Sequence, residues 1–242
     1  IKKLGEYNMS KKVLVTGGNK GIGLAVSRAM LELGYEVVIV ARNFDTCPLV
    51  GVANVTAIEY DLSNIENLQD LAKEVGEIDI LINNAGYMQP KYSYDNYPKE
   101  AKEHIMNVDL YTPVELMNIF SVGMKKRGYG RIVNTASIAG QIGHPDIWYG
   151  IAKAGLINAT KIYGKLLGAH GITVNCVAPS PTETDMQKDN SEERKAEFKK
   201  TVATGRFAQP EEVAKAMVWL ATDCPEYING ICLDINNCSY PR

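Results

Sequence analysis

The sequence lacks the long apolar runs that a membrane protein or a secreted precursor carries. Its apolar runs are short, such as Val37–Ala41, and none approaches the ~20 residues that span a bilayer. Residues 1–10 contain two lysines but no apolar stretch, unlike a secretory signal peptide. The chain is therefore predicted to have no membrane partner.

Cysteine and histidine are also scarce. The five cysteines are an odd number without a Cys-x-x-Cys pair, which predicts a reduced, cytoplasmic chain and not a disulfide framework. The three histidines, His104, His144 and His170, form no His-x-x-His or His-Glu-x-x-His spacing. We therefore expect no catalytic metal.

Charge of one sign is not in excess either. Lys plus Arg total 26 and Asp plus Glu total 28, so the formal net charge is −2. This balance gives no global attraction to nucleic acid, and we expect none as a partner.

The pattern along the chain alternates short β-branched runs with longer helical stretches. The predicted strands are Val13–Val15, Val37–Val40, Ala57–Tyr60, Ile80–Ile82, Arg131–Asn134, Thr173–Val177 and Ile231–Ile235. Continuous apolar runs of this kind are typical of strands buried on both faces of a parallel sheet. A first helix is predicted from the spacing of Val26, Ala29, Met30 and Leu33, and it ends at Gly34. Further helices are predicted near 64–75, 98–126, 149–168, 191–200 and 210–222, with loops at 42–56 and at the Tyr-rich segment 87–99.

This alternation predicts one doubly wound, Rossmann-type α/β domain over residues 11–242, with a seven-stranded parallel sheet and helices on both faces. Residues 1–10 are predicted to be an N-terminal extension, either added upstream of a start at Met9 or disordered.

A glycine-rich turn follows the first strand and opens the first helix. It runs Thr16-Gly-Gly-Asn-Lys-Gly-Ile-Gly23. Glycines here let the backbone turn tightly and approach a pyrophosphate at the helix N-terminus. The turn therefore predicts a dinucleotide site, although a plain strand–helix turn can also be rich in glycine.

Five motifs in this order resemble the short-chain dehydrogenase/reductase family across residues 11–238. They are the glycine-rich turn, Asn83-Asn-Ala-Gly86, Ser137 with Tyr149-x-x-x-Lys153, the segment Pro179-Ser-Pro-Thr-Glu-Thr184, and the C-terminal Tyr227–Asn236. The chain is most similar to the 3-oxoacyl-acyl-carrier-protein reductase-like members. The resemblance implies an oxidoreductase that transfers hydride to a carbonyl, from ketone to secondary alcohol.

The resemblance implies a role for each catalytic side chain. Tyr149 would donate a proton to the carbonyl oxygen, Ser137 would hold that oxygen, and Lys153 would bind the ribose and tune Tyr149. Tyr149 and Lys153 are four residues apart on one helix face, so we expect the ammonium to lower the pKa of the phenol from about 10. Taken alone, such a pair is a common surface feature, and Ser137 alone is a common helix cap.

Asp109 stands where the family usually has its fourth catalytic residue, an asparagine, with Asn107 two residues out of register. In the family, that asparagine acts largely through its backbone carbonyl. Pro113 has no N–H, so the carbonyl of residue 109 would lose its hydrogen-bond donor within the helix. We therefore expect the Asp109 side chain to be dispensable, although Pro113 can also lie in a first helical turn and free nothing.

The resemblance also implies the contacts of the cofactor. The residues concerned are Gly17, Asn19, Lys20, Gly21, Ile22, Gly23, Arg42, Asp61, Leu62, Asn83, Ala85, Gly86, Tyr149, Lys153, Pro179, Thr182 and Thr184. NAD-specific relatives carry an acidic residue at the end of the second strand, where this chain has Ala41 followed by Arg42. Arg42 and Lys20 therefore predict NADP (NADPH), unless both are solvated surface charges.

The substrate is less specified. A small-molecule carbonyl compound is implied, with an acyl carrier protein as a candidate partner for the basic turn Met124–Arg131. A sugar, polyol or hydroxysteroid dehydrogenase of the same family, or a non-catalytic dinucleotide-binding sensor, stays an alternative. The resemblance further implies a homo-oligomer, as a tetramer, through the helices at 98–126 and 149–168 and the C-terminal strand. These helices carry apolar residues such as Leu116, Ile119, Phe120 and Ile157, which can also belong to the intramolecular core.

Overall fold

The computed structural model describes residues 11–88, 92–188 and 190–241. The extension predicted at residues 1–10 lies outside the described residues, as does part of the Tyr-rich segment, residues 89–91.

The chain forms one parallel sheet of seven strands. They are β1 (Lys12–Thr16), β2 (Glu36–Ala41), β3 (Val55–Glu59), β4 (Ile80–Asn83), β5 (Gly130–Thr135), β6 (Ile172–Pro179) and β7 (Cys232–Ile235). Their spatial order is β3-β2-β1-β4-β5-β6-β7. The predicted doubly wound α/β fold is confirmed. The inner strands are buried on both faces, and this explains their continuous valine and isoleucine runs.

Seven α-helices connect the strands in the described part of the chain. They are α1 (Gly21–Glu32), α2 (Leu68–Val75), α3 (Lys99–Met106), α4 (Thr112–Arg127), α5 (Ile147–Leu167), α6 (Glu192–Thr201) and α7 (Pro210–Ala221). The predicted helix at 98–126 is a continuous helical run in which a π-helical segment, Asn107–Tyr111, joins α3 to α4. No helix forms between β2 and β3, as the loop prediction for 42–56 required.

Two apolar layers sandwich the sheet. One contains buried residues of α2, α4 and α5, such as Leu71, Phe120 and Ala159. The other contains buried residues of α1 and α7, such as Val26 and Met217. Helices on both faces bury the inner strands of the sheet and leave the strand ends to form a site.

The apolar residues named as candidates for subunit contacts belong instead to the interior of a single chain. Leu116, Phe120 and Ile157 are buried inside the subunit, and Ile119 is half-buried against its core. They fill the layer beneath α4 and α5 because that face of the sheet needs them. The exposed apolar side chains of these two helices are Val122, Ile151, Ile162 and Leu166.

Within the described ranges, no helix has the length and apolar character to cross a membrane. The same part of the chain holds no group of three or more His, Cys, Asp or Glu side chains suited to a metal ion. All five cysteines are free thiols.

Candidate active site

The site lies at the carboxyl ends of β1, β4, β5 and β6. The strand order reverses between β1 and β4, and in open α/β sheets this switch point opens a ligand crevice. Two cavities meet there: one of about 400 Å³ beside the glycine-rich turn, and one of about 450 Å³ beside Tyr149. We call them the Gly-rich cavity and the Tyr149 cavity. They share the lining residues Asn84, Gly86, Met88, Thr184 and Met186, so they form one continuous cleft.

The glycine-rich turn fits a dinucleotide. Gly17 and Gly21 have φ values of 64° and 54°, in the left-handed region that favours glycine. A Cβ on Gly23 would overlap the carbonyl oxygen of Gly17, so only glycine allows α1 to start this close to β1. The turn leaves a backbone cradle at the N-terminus of α1, where a pyrophosphate can bind.

Tyr149 and Ser137 face the Tyr149 cavity from two elements. Ser137 follows β5 and caps a short 3₁₀ turn, Ile138–Gly140, by accepting a hydrogen bond from the Ala139 N–H at 3.1 Å. Its hydroxyl also hydrogen-bonds Tyr149, on the first turn of α5. The cap is therefore a real function of Ser137, and it orients the hydroxyl beside the phenol.

Lys153 lies one turn after Tyr149 on α5, fully buried. Its Nζ donates to the Thr135 carbonyl at 2.8 Å and lies 5.6 Å from the centroid of the Tyr149 ring. It also forms an ion pair with Asp109 Oδ1 at 3.0 Å. The carboxylate of Asp109 is completely buried, and its Oδ2 accepts the Tyr87 N–H at 3.0 Å. The Asp109 side chain is thus part of the cluster, contrary to the expectation that only its backbone takes part.

These contacts determine the proton affinities of the cluster. Burial alone would lower the pKa of Lys153, but the Asp109 carboxylate and the Tyr149 phenol raise it above its ordinary value. Burial raises the pKa of Asp109, and the Lys153 ammonium opposes this rise. Lys153 is therefore held as an ammonium.

The predicted lowering of the Tyr149 pKa is wrong. Burial, the largest cause, raises the pKa of Tyr149, and the Asp109 carboxylate raises it further. The Lys153 ammonium and the Ser137 hydrogen bond lower it but do not prevail. Tyr149 is thus a phenol near neutral pH, ready to give a proton.

The comparisons with known proteins agree with this geometry. The family described as enoyl-(acyl carrier protein) reductase matches residues 17–237. The 3-oxoacyl-[acyl-carrier-protein] reductase of Vibrio harveyi is 35% identical over 250 residues, which cover 96% of this chain and 99% of that protein. The chain belongs to the short-chain dehydrogenase/reductase family. It is an oxidoreductase, and the predicted family and enzyme class are confirmed.

Two further relatives are named for different substrates. The acetoacetyl-CoA reductase of Shinella zoogloeoides is 34% identical and covers 94% of this chain and 98% of its own. A protein assigned as a 2-deoxy-D-gluconate 3-dehydrogenase from Agrobacterium tumefaciens, solved with bound NADP, superposes with a TM-score of 0.88 at 27% identity. The match covers 97% of this chain and 98% of that one.

Most residues that the family resemblance assigned to the cofactor line the Gly-rich cavity. They are Gly17, Asn19, Lys20, Gly21, Ile22, Arg42, Asp61, Leu62, Ala85, Gly86 and Thr184. Tyr149, Lys153, Pro179 and Thr182 line the adjoining Tyr149 cavity. Gly23 acts through its close packing on Gly17.

Asn83 is not at the cavity wall. Its buried Nδ2 donates to Asn134 Oδ1 at 2.9 Å and to the Pro113 carbonyl at 3.3 Å, so it ties β4 to β5 and α4. Asn84 lines both cavities instead, and its Nδ2 donates to the carbonyls of Thr16 and Gly17. Successive residues of an extended strand point to opposite sides, which explains the shift by one residue.

The two basic residues predicted to select NADP have different surroundings. Arg42 follows β2 and extends its exposed side chain at the wall of the Gly-rich cavity. Lys20 forms an ion pair with Asp185 at 3.2 Å, so its ammonium is already partnered. Arg42 is therefore the better candidate for a phosphate contact.

The helical run around Asp109 shows why Asn107 takes no part. Its Nδ2 donates to the Ser63 carbonyl at 2.9 Å, away from Lys153. The Thr112 N–H bonds the carbonyl of Asn107, five residues back, and Pro113 lies in the first turn of α4. Such π-helical turns are frequent at functional sites, and here one aims Asp109 at Lys153.

Some site residues were missed from the sequence. His144 and Arg194 line the Tyr149 cavity. The Tyr-rich segment supplies Tyr87, whose N–H holds Asp109, and Tyr97, whose hydroxyl donates to Asp146 Oδ1 at 2.9 Å. The Tyr-rich composition of this loop beside a strand end was the available signal.

Proposed function

We propose that this protein is an NADPH-dependent reductase of 3-oxoacyl thioesters. The observation that carries the proposal is the cluster of Ser137, Tyr149 and the ammonium of Lys153 in the Tyr149 cavity, which adjoins the Gly-rich cavity. Relatives named for 3-oxoacyl-carrier and acetoacetyl-CoA reduction, at 35% and 34% identity, support the substrate class.

The geometry gives each side chain a step in the reduction. The hydroxyls of Ser137 and Tyr149 hold the carbonyl oxygen, and Tyr149 donates its proton as that oxygen becomes negative. The Lys153 ammonium stabilises the phenolate that remains, and Asp109 holds Lys153 charged and in place. When bound, the nicotinamide supplies the hydride to the carbonyl carbon. Burial raises the pKa of Tyr149, so the phenol carries the proton that the reduction consumes.

Arg42 supports the choice of NADPH. Ala41 provides no carboxylate to bind a ribose 2′-hydroxyl, whereas the guanidinium of Arg42 can pair with a 2′-phosphate in a bidentate contact.

Arg42→Ala is expected to raise the KM for NADPH by about ten- to a hundredfold, the effect of one charge-assisted contact, and to leave the KM for NADH unchanged. Steady-state kinetics with each cofactor check this result. Lys20→Ala is the matched comparison, with a smaller effect because Asp185 competes for that ammonium. Equal KM values for both cofactors in the wild-type enzyme would contradict the proposed preference.

The predicted docking of an acyl carrier on the basic turn Met124–Arg131 finds no support in the geometry. This segment joins the end of α4 to the start of β5, so it lies at the amino ends of the strands, opposite to the site. Arg127 forms an ion pair with Glu77, and the buried Arg131 pairs with Glu226. The thioester itself is the recognised group in our proposal, with or without a carrier.

The substrate is tested with purified enzyme, NADPH and a panel of acetoacetyl thioesters, keto-sugars and ketosteroids, followed by the loss of nicotinamide absorbance. We expect the highest kcat/KM with acetoacetyl thioesters. A higher value with a keto-sugar would favour the alternative dehydrogenase function, whose support is the likeness to a gluconate-type dehydrogenase structure. Cofactor binding without turnover of any compound would favour a sensor.

We also propose that copies of the chain associate, as a tetramer, through α4 and α5. Val122, Ile151, Ile162 and Leu166 are between 47% and 63% exposed on these helices. Leu166→Glu is expected to shift the sedimenting species toward a single chain, because a charge would enter the apolar contact. A wild-type protein that sediments as a single chain at micromolar concentration would contradict this proposal. The cytoplasmic location stays a prediction from the reduced cysteines.

A further inference from the structure

His144 lies beside the catalytic phenol. It is half-buried in the loop between Ser137 and α5, lines the Tyr149 cavity, and has its ring centroid 5.4 Å from that of Tyr149. Family motifs do not include this residue, and the reduction described above does not use it.

The backbone of Asp146 determines which imidazole nitrogen carries the proton. His144 Nδ1 lies 3.1 Å from the Asp146 amide nitrogen and 3.3 Å from its carbonyl oxygen. The amide always carries its hydrogen and donates it to Nδ1, so Nδ1 is the acceptor in this contact. The proton of the neutral ring therefore resides on Nε2.

The loop holds this arrangement firmly. Asp146 caps α5 by accepting the Tyr149 N–H, and the Tyr97 hydroxyl donates to the same carboxylate oxygen. Burial lowers the pKa of His144; hydrogen bonding with the Asp146 backbone opposes this fall without reversing it, and the nearby Arg194 guanidinium adds to it. The ring is thus neutral near pH 7, with one N–H and no described partner for Nε2.

We propose that the Nε2–H of His144 donates a hydrogen bond to the second carbonyl oxygen of the substrate, and thereby selects compounds with two carbonyls in a 1,3 relation. In such a compound, the two oxygens lie a few ångström apart. When one is held by Ser137 and Tyr149, the other is brought to the neighbouring ring. This inference rests on the proposed function, since a 3-oxoacyl thioester is a 1,3-dicarbonyl compound.

The test compares one variant on two substrates. Acetoacetyl-N-acetylcysteamine carries both carbonyls, and 2-heptanone carries a single one. His144→Leu is expected to lower kcat/KM for the thioester by about tenfold, the effect of one lost hydrogen bond, and to change kcat/KM for the ketone by less than about twofold. His144→Gln, whose amide can donate, is expected to recover part of the loss. His170→Leu, on an exposed histidine far from the cleft, is the control and should change neither value.

The outcomes separate this inference from the proposed function. An equal loss on both substrates, or no loss on either, would overturn the role of His144 while the reductase stands. Wild-type enzyme that reduces ketones but not the thioester would overturn both. NADPH affinity, measured by fluorescence, should be unchanged in all variants, because His144 is not among the residues assigned to the cofactor and does not line the Gly-rich cavity.

Discussion

Tyr149→Phe is expected to lower kcat by about 100- to 10,000-fold, the usual contribution of a positioned general acid. The variant loses only the hydroxyl that donates the proton. Its ring keeps the packing against Ala139, Ala152 and Ile105, and so holds the shape of the Tyr149 cavity. The affinity for NADPH should therefore stay within a fewfold of the wild-type value.

Rapid kinetics measure kcat, and fluorescence titration measures the NADPH dissociation constant. Tyr227→Phe is the matched control, since Tyr227 is fully exposed and far from the cleft. Retention of most of the wild-type rate in Tyr149→Phe would mean that another group donates the proton. Loss of NADPH binding as well would mean that the phenol is mainly a cofactor contact.

The fold could be predicted because its signals are local. Val37–Val40 and Ile80–Ile82 are apolar, mostly β-branched runs that suit strands buried on both faces. Alternation of such strands with helices is typical of a parallel sheet. The glycine-rich turn could be predicted for the same reason, because Gly17, Gly21 and Gly23 each meet a steric demand within a few residues.

The properties that could not be predicted depend on contacts between distant segments. The pKa of Tyr149 is one example. The direction in which it shifts depends on burial and on Asp109, which lies 40 residues away in the sequence. The partner of Lys20 is another, because Asp185 reaches it from the segment after β6. The choice between Asn83 and Asn84 depends on where β4 ends, and a motif does not state this to within one residue.

Asp109 shows most clearly what the structure adds. From the sequence, its side chain was expected to be dispensable, because the family uses the backbone of an asparagine there. In the structure, one carboxylate oxygen faces the Lys153 ammonium and the other accepts the Tyr87 N–H. Both neighbours are donors, and both oxygens are buried.

Asp109→Asn is therefore expected to be costly. In either orientation of the new side chain, its NH2 group faces another hydrogen-bond donor, which is either the Lys153 ammonium or the Tyr87 N–H. Breaking a buried ion pair in this way should lower the free energy of unfolding by about 3 kcal/mol. We also expect kcat for reduction at neutral pH to fall at least about tenfold, since Lys153 would no longer be held in place.

The pH dependence of reductase activity tests the role of the Asp109 carboxylate more directly. The carboxylate of Asp109 raises the pKa values of both Lys153 and Tyr149. Removing it lowers both, so the loss of reductase activity at high pH should begin at a lower pH in Asp109→Asn. Both causes move the alkaline limb in the same direction: Tyr149 gives up its proton sooner, and Lys153 gives up its charge sooner.

Asp223→Asn, on an exposed carboxylate, is the control for the general effect of removing a negative charge. Denaturant unfolding gives the stability, and the pH dependence of kcat gives the limb. If Asp109→Asn kept the stability and the alkaline limb of the wild-type enzyme, the carboxylate would be dispensable, as the sequence suggested. A moved limb at wild-type stability would assign Asp109 to proton control alone, because a purely structural role would change stability and leave the titration where it was.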